Sequence, residues 1–302
     1  MNGEPFYPKV LLVIYDPEIP SAGNRNLSQV FGWSNVDHLV EAFIADLREG
    51  SYGICNYQIA DRIELSAFPV KEDGFRYSAD SYIGSWRSGR GFHVPDWADY
   101  HQILDEVRAI NGIRSGSVDE VWLFAFPYGG FYESRMVGPG AFWCNAPPLP
   151  GYGELERRFV VMGFNYERGL GEMLESYGHR VESTLSHVFR EKDDKVNLWK
   201  RFTRTHLSHP GRAEVGTIHF APNSRRDYDW GNRYEVPSRC DNWYGFPELE
   251  GPPRPVDCDE WGGGDIRKHH LWWLSHLPHG MGVFDGISQN WWEYVIDPNR
   301  VT

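Results

Sequence analysis

The segment Arg157–Phe189, RRFVVMGFNYERGLGEMLESYGHRVESTLSHVF, constrains the fold more than any other part of the chain. Its apolar run Phe159–Met162 is rich in β-branched residues and short, as a strand buried on both faces requires. Gly163 interrupts the run, and Asn165, Tyr166 and Glu167 follow in a turn. Leu170, Met173, Leu174, Tyr177, Val181, Leu185 and Val188 then recur at three- and four-residue steps, the period of an amphipathic helix. Strand, turn and long helix make half of a βαβ unit, in which ligands gather beyond the carboxyl ends of the strands. Asn165, Tyr166 and Glu167 hold that position here. A polar line of Glu172, Glu175, His179 and Glu182 runs down the opposite side of the helix.

Similar elements precede this segment. Lys9–Tyr15, KVLLVIY, reads as a buried strand, and Ser34 or Asn35 can cap a helix that Gly50 stops. Residues Ile54–Ile59 and Ile63–Phe68 read as one strand or a bent pair, and Lys71–Val94 as a loop. Asp96 is expected to cap a helix carrying Ile103, Leu104, Val107 and Ile110, and Asp119–Phe126 is a further strand, followed by a long insertion from Tyr128 to Gly153. The alternation predicts an α/β fold, a mostly parallel sheet with helices on both faces, over residues 1–190. Residues 191–302 form an irregular Trp-rich region expected to pack on that core. Within it, Trp199–Phe202 reads as a short helix or turn and Gly216–Phe220 as a short strand. Asp265 should cap a helix over Ile266–Leu277, and Asn290–Ile296 should be an edge strand or a docking tail.

Composition narrows the partners. A net charge of −12 excludes a nucleic-acid backbone as the main ligand, and no apolar run is long enough for membrane insertion. Thirteen Trp residues are accounted for mostly by core packing, with a minority expected to stack on sugar rings. The opening Met1-Asn-Gly-Glu-Pro lacks a basic n-region and an apolar h-region, so no signal peptide is read there. Cys240 and Cys258 flank an irregular loop that a disulfide would staple, and that pairing suggests an extracellular mature domain. Cys55 and Cys144, in apolar contexts, are expected to be buried thiols.

Four carboxylates, Asp16, Glu18, Glu133 and Glu167, follow predicted strands and would converge on one edge of a parallel sheet. Two carboxylates of different pKa suffice for acid/base cleavage of a glycosidic bond. Glu133 and Glu167 are the expected pair, with Asp16 in reserve and Arg135, Asn165 and Tyr166 orienting the substrate. His179, Trp272 and His276 are further candidate binding residues, the last two as an aromatic-and-imidazole wall. The helix line offers Glu175, His179 and Glu182 as metal ligands at three- and four-residue spacing. Its His179-Arg-Val-Glu182 matches only part of the H-x-x-E-H zinc helix, because Ser183 replaces the second His. The line is expected to be covered by the C-terminal region, with His179 buried and hydrogen-bonded. Neither a metal nor another cofactor is expected. Gly169-Leu-Gly171 is an incomplete dinucleotide turn with Leu174 in place of the third Gly, and no G-x-S-x-G elbow is present.

The blocks DEVWLFAFPYGGFYESRMVGPGAFWCNAPPL and VVMGFNYERGLGEMLESYGHRVES resemble stretches of large secreted microbial proteins of no assigned activity. The resemblance implies an extracellular α/β domain and transfers no catalytic residue. The expected function is a secreted hydrolase of polysaccharides or glycoconjugates working through carboxylates. The rivals are a non-catalytic carbohydrate-binding or adhesion domain, and a metal-dependent hydrolase built on Glu175, His179 and Glu182.

Overall fold

In the computed structural model, residues 3–301 are described. Met1 and Asn2, part of the N-terminal stretch examined for a leader, lie outside them, as does Thr302. The chain forms two compact units. A sheet unit comprises Pro8–Ala42 and Tyr57–Gly169, and a C-terminal unit comprises the first residues to Tyr7, Phe43–Asn56 and everything from Leu170 onward.

The sheet unit begins with β1 (Lys9–Tyr15), the short ladder of β2 (Glu18–Ile19) and β3 (Arg25–Asn26), and α1 (Leu27–Phe31). Helix α2 (Val36–Gly50) starts in this unit, and Asn35 Oδ1 accepts from His38 N at its first turn. The edge strand β4 (Gln58–Leu65) follows, then helices α3 (Ala79–Ser88), α4 (Tyr100–Glu106) and α5 (Ala109–Ser115). Strands β5 (Glu120–Ala125), β6 (Ser134–Val137) and β7 (Phe159–Asn165) complete the sheet, in the order β4-β1-β5-β7-β6. Every pairing is parallel except that of β6 with β7. The α/β class and the mostly parallel sheet therefore hold. Strands β1, β5 and β7 are almost wholly buried, which explains their unbroken apolar runs.

Local expectations needed correction. Around residue 60 the single-strand alternative holds, as β4, though it starts only at Gln58; its exposed Asp61, Arg62 and Glu64 charge the sheet edge. The segment read as a loop contains α3, and the insertion after β5 contains β6. Asp96 does not cap α4; Asp99 does, accepting from Gln102 N, while Asp96 binds Lys71. Gly163 does not end β7 but sits inside it, opposite Leu123. Any Cβ at Gly163 would collide with the Tyr132 carbonyl and Phe131, so the glycine admits the chain entering β6.

The C-terminal unit is built on α6 (Leu170–Val188). It continues through α7 (Leu198–Phe202), the hairpin of β8 (Val236–Ser238) and β9 (Arg254–Val256), and α8 (Ile266–Ser275), which Asp265 caps as expected. The hairpin of β10 (His279–Phe284) and β11 (Ile287–Asn290) and the short helix α9 (Trp292–Ile296) close the chain. The Gly216–Phe220 segment is a tight turn, not a strand: Thr217 and Phe220 exchange backbone hydrogen bonds of 2.9 and 3.2 Å. The last aromatic segment is mainly α9, not an edge strand, and buried Arg180 of α6 donates to the Val295 carbonyl. Trp199, Trp243, Trp273, Trp291 and Trp292 are buried, so these rings form core and not a sugar platform.

The expected Cys240–Cys258 disulfide is absent, and both residues are buried free thiols. The hairpin register explains why. Val236 faces Val256 and Ser238 faces Arg254, so Cys240 and Cys258 leave opposite ends of an antiparallel ladder. Six strand positions then separate their levels, on the order of 20 Å if extended, whereas a disulfide needs Cα atoms within about 7 Å.

Two glycines set how closely α6 is approached. A Cβ on Gly171 would collide with Ile266, and one on Gly178 with Ile218, in both cases near the β-branched stem of the partner. Gly178→Ala should therefore destabilise the protein by ~1–3 kcal/mol in denaturant unfolding. Gly84→Ala, in α3 where a Cβ meets nothing within 4 Å, should be neutral or stabilising by ~0.5–1 kcal/mol. Equal effects at the two positions would contradict the close approach.

Candidate metal centre

The face of α6 that carries Gly171 and Gly178 also carries Glu175, His179 and Glu182, at four-, eight- and eleven-residue steps from Gly171. The close approach allowed by the glycines brings two other segments of the C-terminal unit over this face. One is the turn at Ile218, held by its backbone N–H donating to Glu182 Oε1 at 3.1 Å, which delivers His219. The other is the first turn of α8, which delivers His269 and His270. The helix line is covered and His179 is hydrogen-bonded, as expected, but it is half-buried where full burial was expected.

Glu175 is the hub. His219 Nε2 lies 2.8 Å and His179 Nε2 3.9 Å from its Oε1, and His270 Nε2 lies 4.0 Å from its Oε2. The other nitrogen of each half-buried imidazole faces a carboxylate: His179 Nδ1 faces Glu182 at 3.1 Å, and His219 Nδ1 faces Asp227 at 3.1 Å. Tyr228 places its hydroxyl 3.3 Å from both Glu175 Oε1 and His219 Nε2. Its backbone has a φ of 58°, an uncommon conformation for a bulky residue, and its N–H donates to the His219 carbonyl. Ligand atoms of Glu175, His179 and His219 all lie within 4.8 Å of one another.

Burial alone would raise the Glu175 carboxyl, but hydrogen bonds from His179 and His219 hold it well below the ordinary carboxylate range. Burial likewise works to lower His219, yet the hydrogen bond to Glu175 and the charges of Glu175 and Asp227 raise it above its usual value. His270, fully buried, is pushed down to about 3 by burial and stays neutral at ordinary pH. The arrangement offers one anionic oxygen donor and imidazole nitrogens of fixed orientation, a donor set suited to a divalent transition ion.

The other sequence candidates have different surroundings. Asp16 lines a cleft of about 500 Å³ at the carboxyl ends of β1 and β4, but its oxygens accept from Ser28 N at 3.0 Å and Ser28 Oγ at 2.6 Å. Tyr166 is buried and its hydroxyl lies 3.0 Å from the Tyr15 carbonyl and 3.3 Å from Asp16, while burial raises its pKa. Glu133 accepts from Asn145 Nδ2, and Glu167 is exposed, with its N–H donating to Asn165 Oδ1. Neither Glu133 nor Glu167 lines that cleft. The Arg135 guanidinium donates to the Pro147 carbonyl at 3.0 Å and lies over the Tyr100 and Tyr132 rings. His276 is buried, donates from Nδ1 to the Trp272 carbonyl at 2.6 Å, and packs on the Trp272 and Tyr244 rings. His219, Asp227 and Tyr228 were not anticipated, because they sit in irregular chain without periodicity.

Fold and site together define an α/β protein with a candidate divalent-metal centre in its C-terminal unit. Among known proteins, no family model, no curated protein and no solved structure matches the chain.

The shifts set a pH signature for metal-free protein. Raised His219 favours the folded state below its unfolded value of about 6.5, and that contribution fades as pH climbs through the raised value. Depressed Glu175 contributes above its unfolded value and loses that contribution as pH falls through its lowered one. Chelated wild type should therefore lose melting temperature above about pH 6.5. His219→Gln should flatten that slope, and an identical slope in both proteins would contradict the pairing.

Proposed function

We propose that this protein is a metal-dependent hydrolase whose centre is Glu175, His179 and His219. The observation that carries this reading is the shared orientation of the two imidazoles. Each turns Nε2 toward Glu175 while a carboxylate oxygen, of Glu182 or of Asp227, stands 3.1 Å from its Nδ1. In the metal-free protein the Nε2–H of His219 donates to the Glu175 carboxylate; an ion at Glu175 would take that proton's place, and a carboxylate behind Nδ1 would raise the basicity of Nε2, as partners behind metal-binding histidines do. Two His and one Glu leave coordination positions open for water and substrate.

A bound divalent ion would supply a water acidified to a pKa near ~7 and would polarise a substrate carbonyl. The protein's own groups do the rest. Glu175 provides the charge that retains the ion, and Glu182 and Asp227 keep the two imidazoles aimed. Tyr228, half exposed beside Glu175, can donate its hydroxyl proton to an oxygen that gains charge during acyl cleavage. The centre is reachable, with the Glu175, His179 and His219 side chains 13, 18 and 24% exposed. The net charge of −12 disfavours polyanionic substrates, so esters and amides, including acetyl groups on glycans, are the substrate class.

Zinc-loaded protein assayed on acyl esters and acetylated oligosaccharides should show turnover that a chelator abolishes and zinc restores. Glu175→Gln and His219→Ala should each lower kcat/KM by ~100-fold or more while leaving the fold intact. Turnover that survives both the chelator and these substitutions would overturn the reading.

A further inference from the structure

A pocket of about 280 Å³ in the C-terminal unit shares no residue with the metal centre. Its charged lining is Lys195, Arg201, Arg204, Arg212 and Arg239, with Glu214 the single acid. Glu214 balances only one of these cations. It is buried, and its Oε1 accepts from Arg201 Nε at 2.9 Å while Oε2 accepts from Trp243 Nε1 at 3.0 Å. Among the described residues, the side chains of Lys195, Arg204, Arg212 and Arg239 make no ion pair or hydrogen bond. Arg180, Arg233 and Arg254 of the same unit, by contrast, are held by the Val295 carbonyl, by Asp259, and by Asp241 with Glu260.

The backbone gathers these like charges. Glu214 N donates to the Arg204 carbonyl and Arg239 N to the Ala213 carbonyl, both at 3.0 Å. Ser238 Oγ adds a bond of 2.6 Å to the Glu214 carbonyl. The segments carrying Arg204, Arg212 and Arg239 are thereby stapled together, and each brings to one pocket a guanidinium that no carboxylate of the pocket answers. Arg204 Nε is buried without a hydrogen-bond partner, the only guanidinium nitrogen in that condition among the described residues. A donor on a charged group is costly to leave so.

We infer that this pocket binds the phosphate group of a small phosphate monoester through Arg204, Arg212 and Arg239, with exposed Lys195 adding charge. The inference is independent of the metal reading. Guanidinium forks match the oxygens of carboxylates and phosphates. Three forks of two N–H groups each outnumber the roughly four acceptor sites of a carboxylate, whereas the three terminal oxygens of a phosphate can take them all. A phosphate monoester also carries close to two negative charges at neutral pH, which suits several cations better than a singly charged sulfate ester does. The volume lies near the lower end of small-molecule sites, about 300 Å³, so the esterified group is small. The chain's net charge of −12 works against long polyanions, but it is screened beyond about 8 Å, and a small ligand in contact meets the local arginines.

The probes are methyl phosphate, methyl sulfate and acetate, titrated calorimetrically into metal-free protein in about 0.15 M sodium chloride. Without metal, Glu175 and its neighbours offer phosphate no rival site, so failure of the hydrolase reading leaves the result unaffected. Methyl phosphate should bind saturably with half-saturation below ~1 mM, and the other two more weakly. Arg212→Gln and Arg204→Gln should each weaken methyl phosphate at least ~10-fold. Arg48→Gln, which removes an exposed arginine outside the pocket, should leave it unchanged. Arg212 is exposed, so Arg212→Gln carries the test should Arg204→Gln fail to fold. Absence of saturable binding to wild type, or equal losses in Arg48→Gln and Arg212→Gln, would overturn the site. Methyl sulfate or acetate binding as tightly as methyl phosphate would overturn its assignment to phosphate.

Discussion

Close approach along one face of α6 is the constraint on which the C-terminal unit depends. Gly171 and Gly178 remove the side chains that would hold Ile266 and Ile218 away. The same face carries Glu175, His179 and Glu182, so the segments that come close are brought onto acidic and imidazole groups. Those segments answer in kind, with His219 next to Ile218 and His270 four residues beyond Ile266. Packing and polar chemistry are therefore one problem on this helix, and the glycines solve the packing half.

The polar half is settled by pairing. A carboxylate taken from water is expensive unless hydrogen-bonded, and Glu175 meets that requirement through His219 and Tyr228. On another face of α6, buried Arg180 donates to the Val295 carbonyl near the end of α9, where a helix presents unpaired carbonyls and partial negative charge. Three indoles of the Trp-rich core are satisfied in the same way: Trp243 Nε1 donates to Glu214, Trp273 Nε1 to the Gly216 carbonyl and Trp261 Nε1 to the Trp230 carbonyl. The Nε2 atoms of His269 and His270 and the indole nitrogens of Trp230, Trp291 and Trp292 are buried without a hydrogen-bond partner among the described residues, and the Trp230 ring packs on both imidazoles.

Much of the fold was legible where one period dominated. The β7–α6 segment, β1, β5 and the Asn35 and Asp265 caps follow from apolar spacing and capping chemistry alone. Helix α3 and strand β6 were missed because glycine, serine and aromatic residues mask their periodicity. The disulfide failed for a different reason: proximity in sequence across a loop says nothing about register, and the β8–β9 ladder sends the two cysteines to opposite ends. Of the site, the i, i+3 and i, i+4 spacing exposed Glu175, His179 and Glu182, since these share one helix face. His219, Asp227 and Tyr228 come from a turn and a loop whose path is set by tertiary contacts, including the Glu182 bond to Ile218 N. One signal was available: glycines seven residues apart on the face of the polar line mark a face meant to be covered, not wetted.

The central claim is that an ion belongs at Glu175. Diffraction from zinc-loaded crystals on either side of the zinc absorption edge tests it most directly. The account predicts one strong anomalous peak within bonding distance of a Glu175 oxygen and of Nε2 of His179 and His219. An empty map at that position, or a peak only at Cys240 and His276, would contradict it.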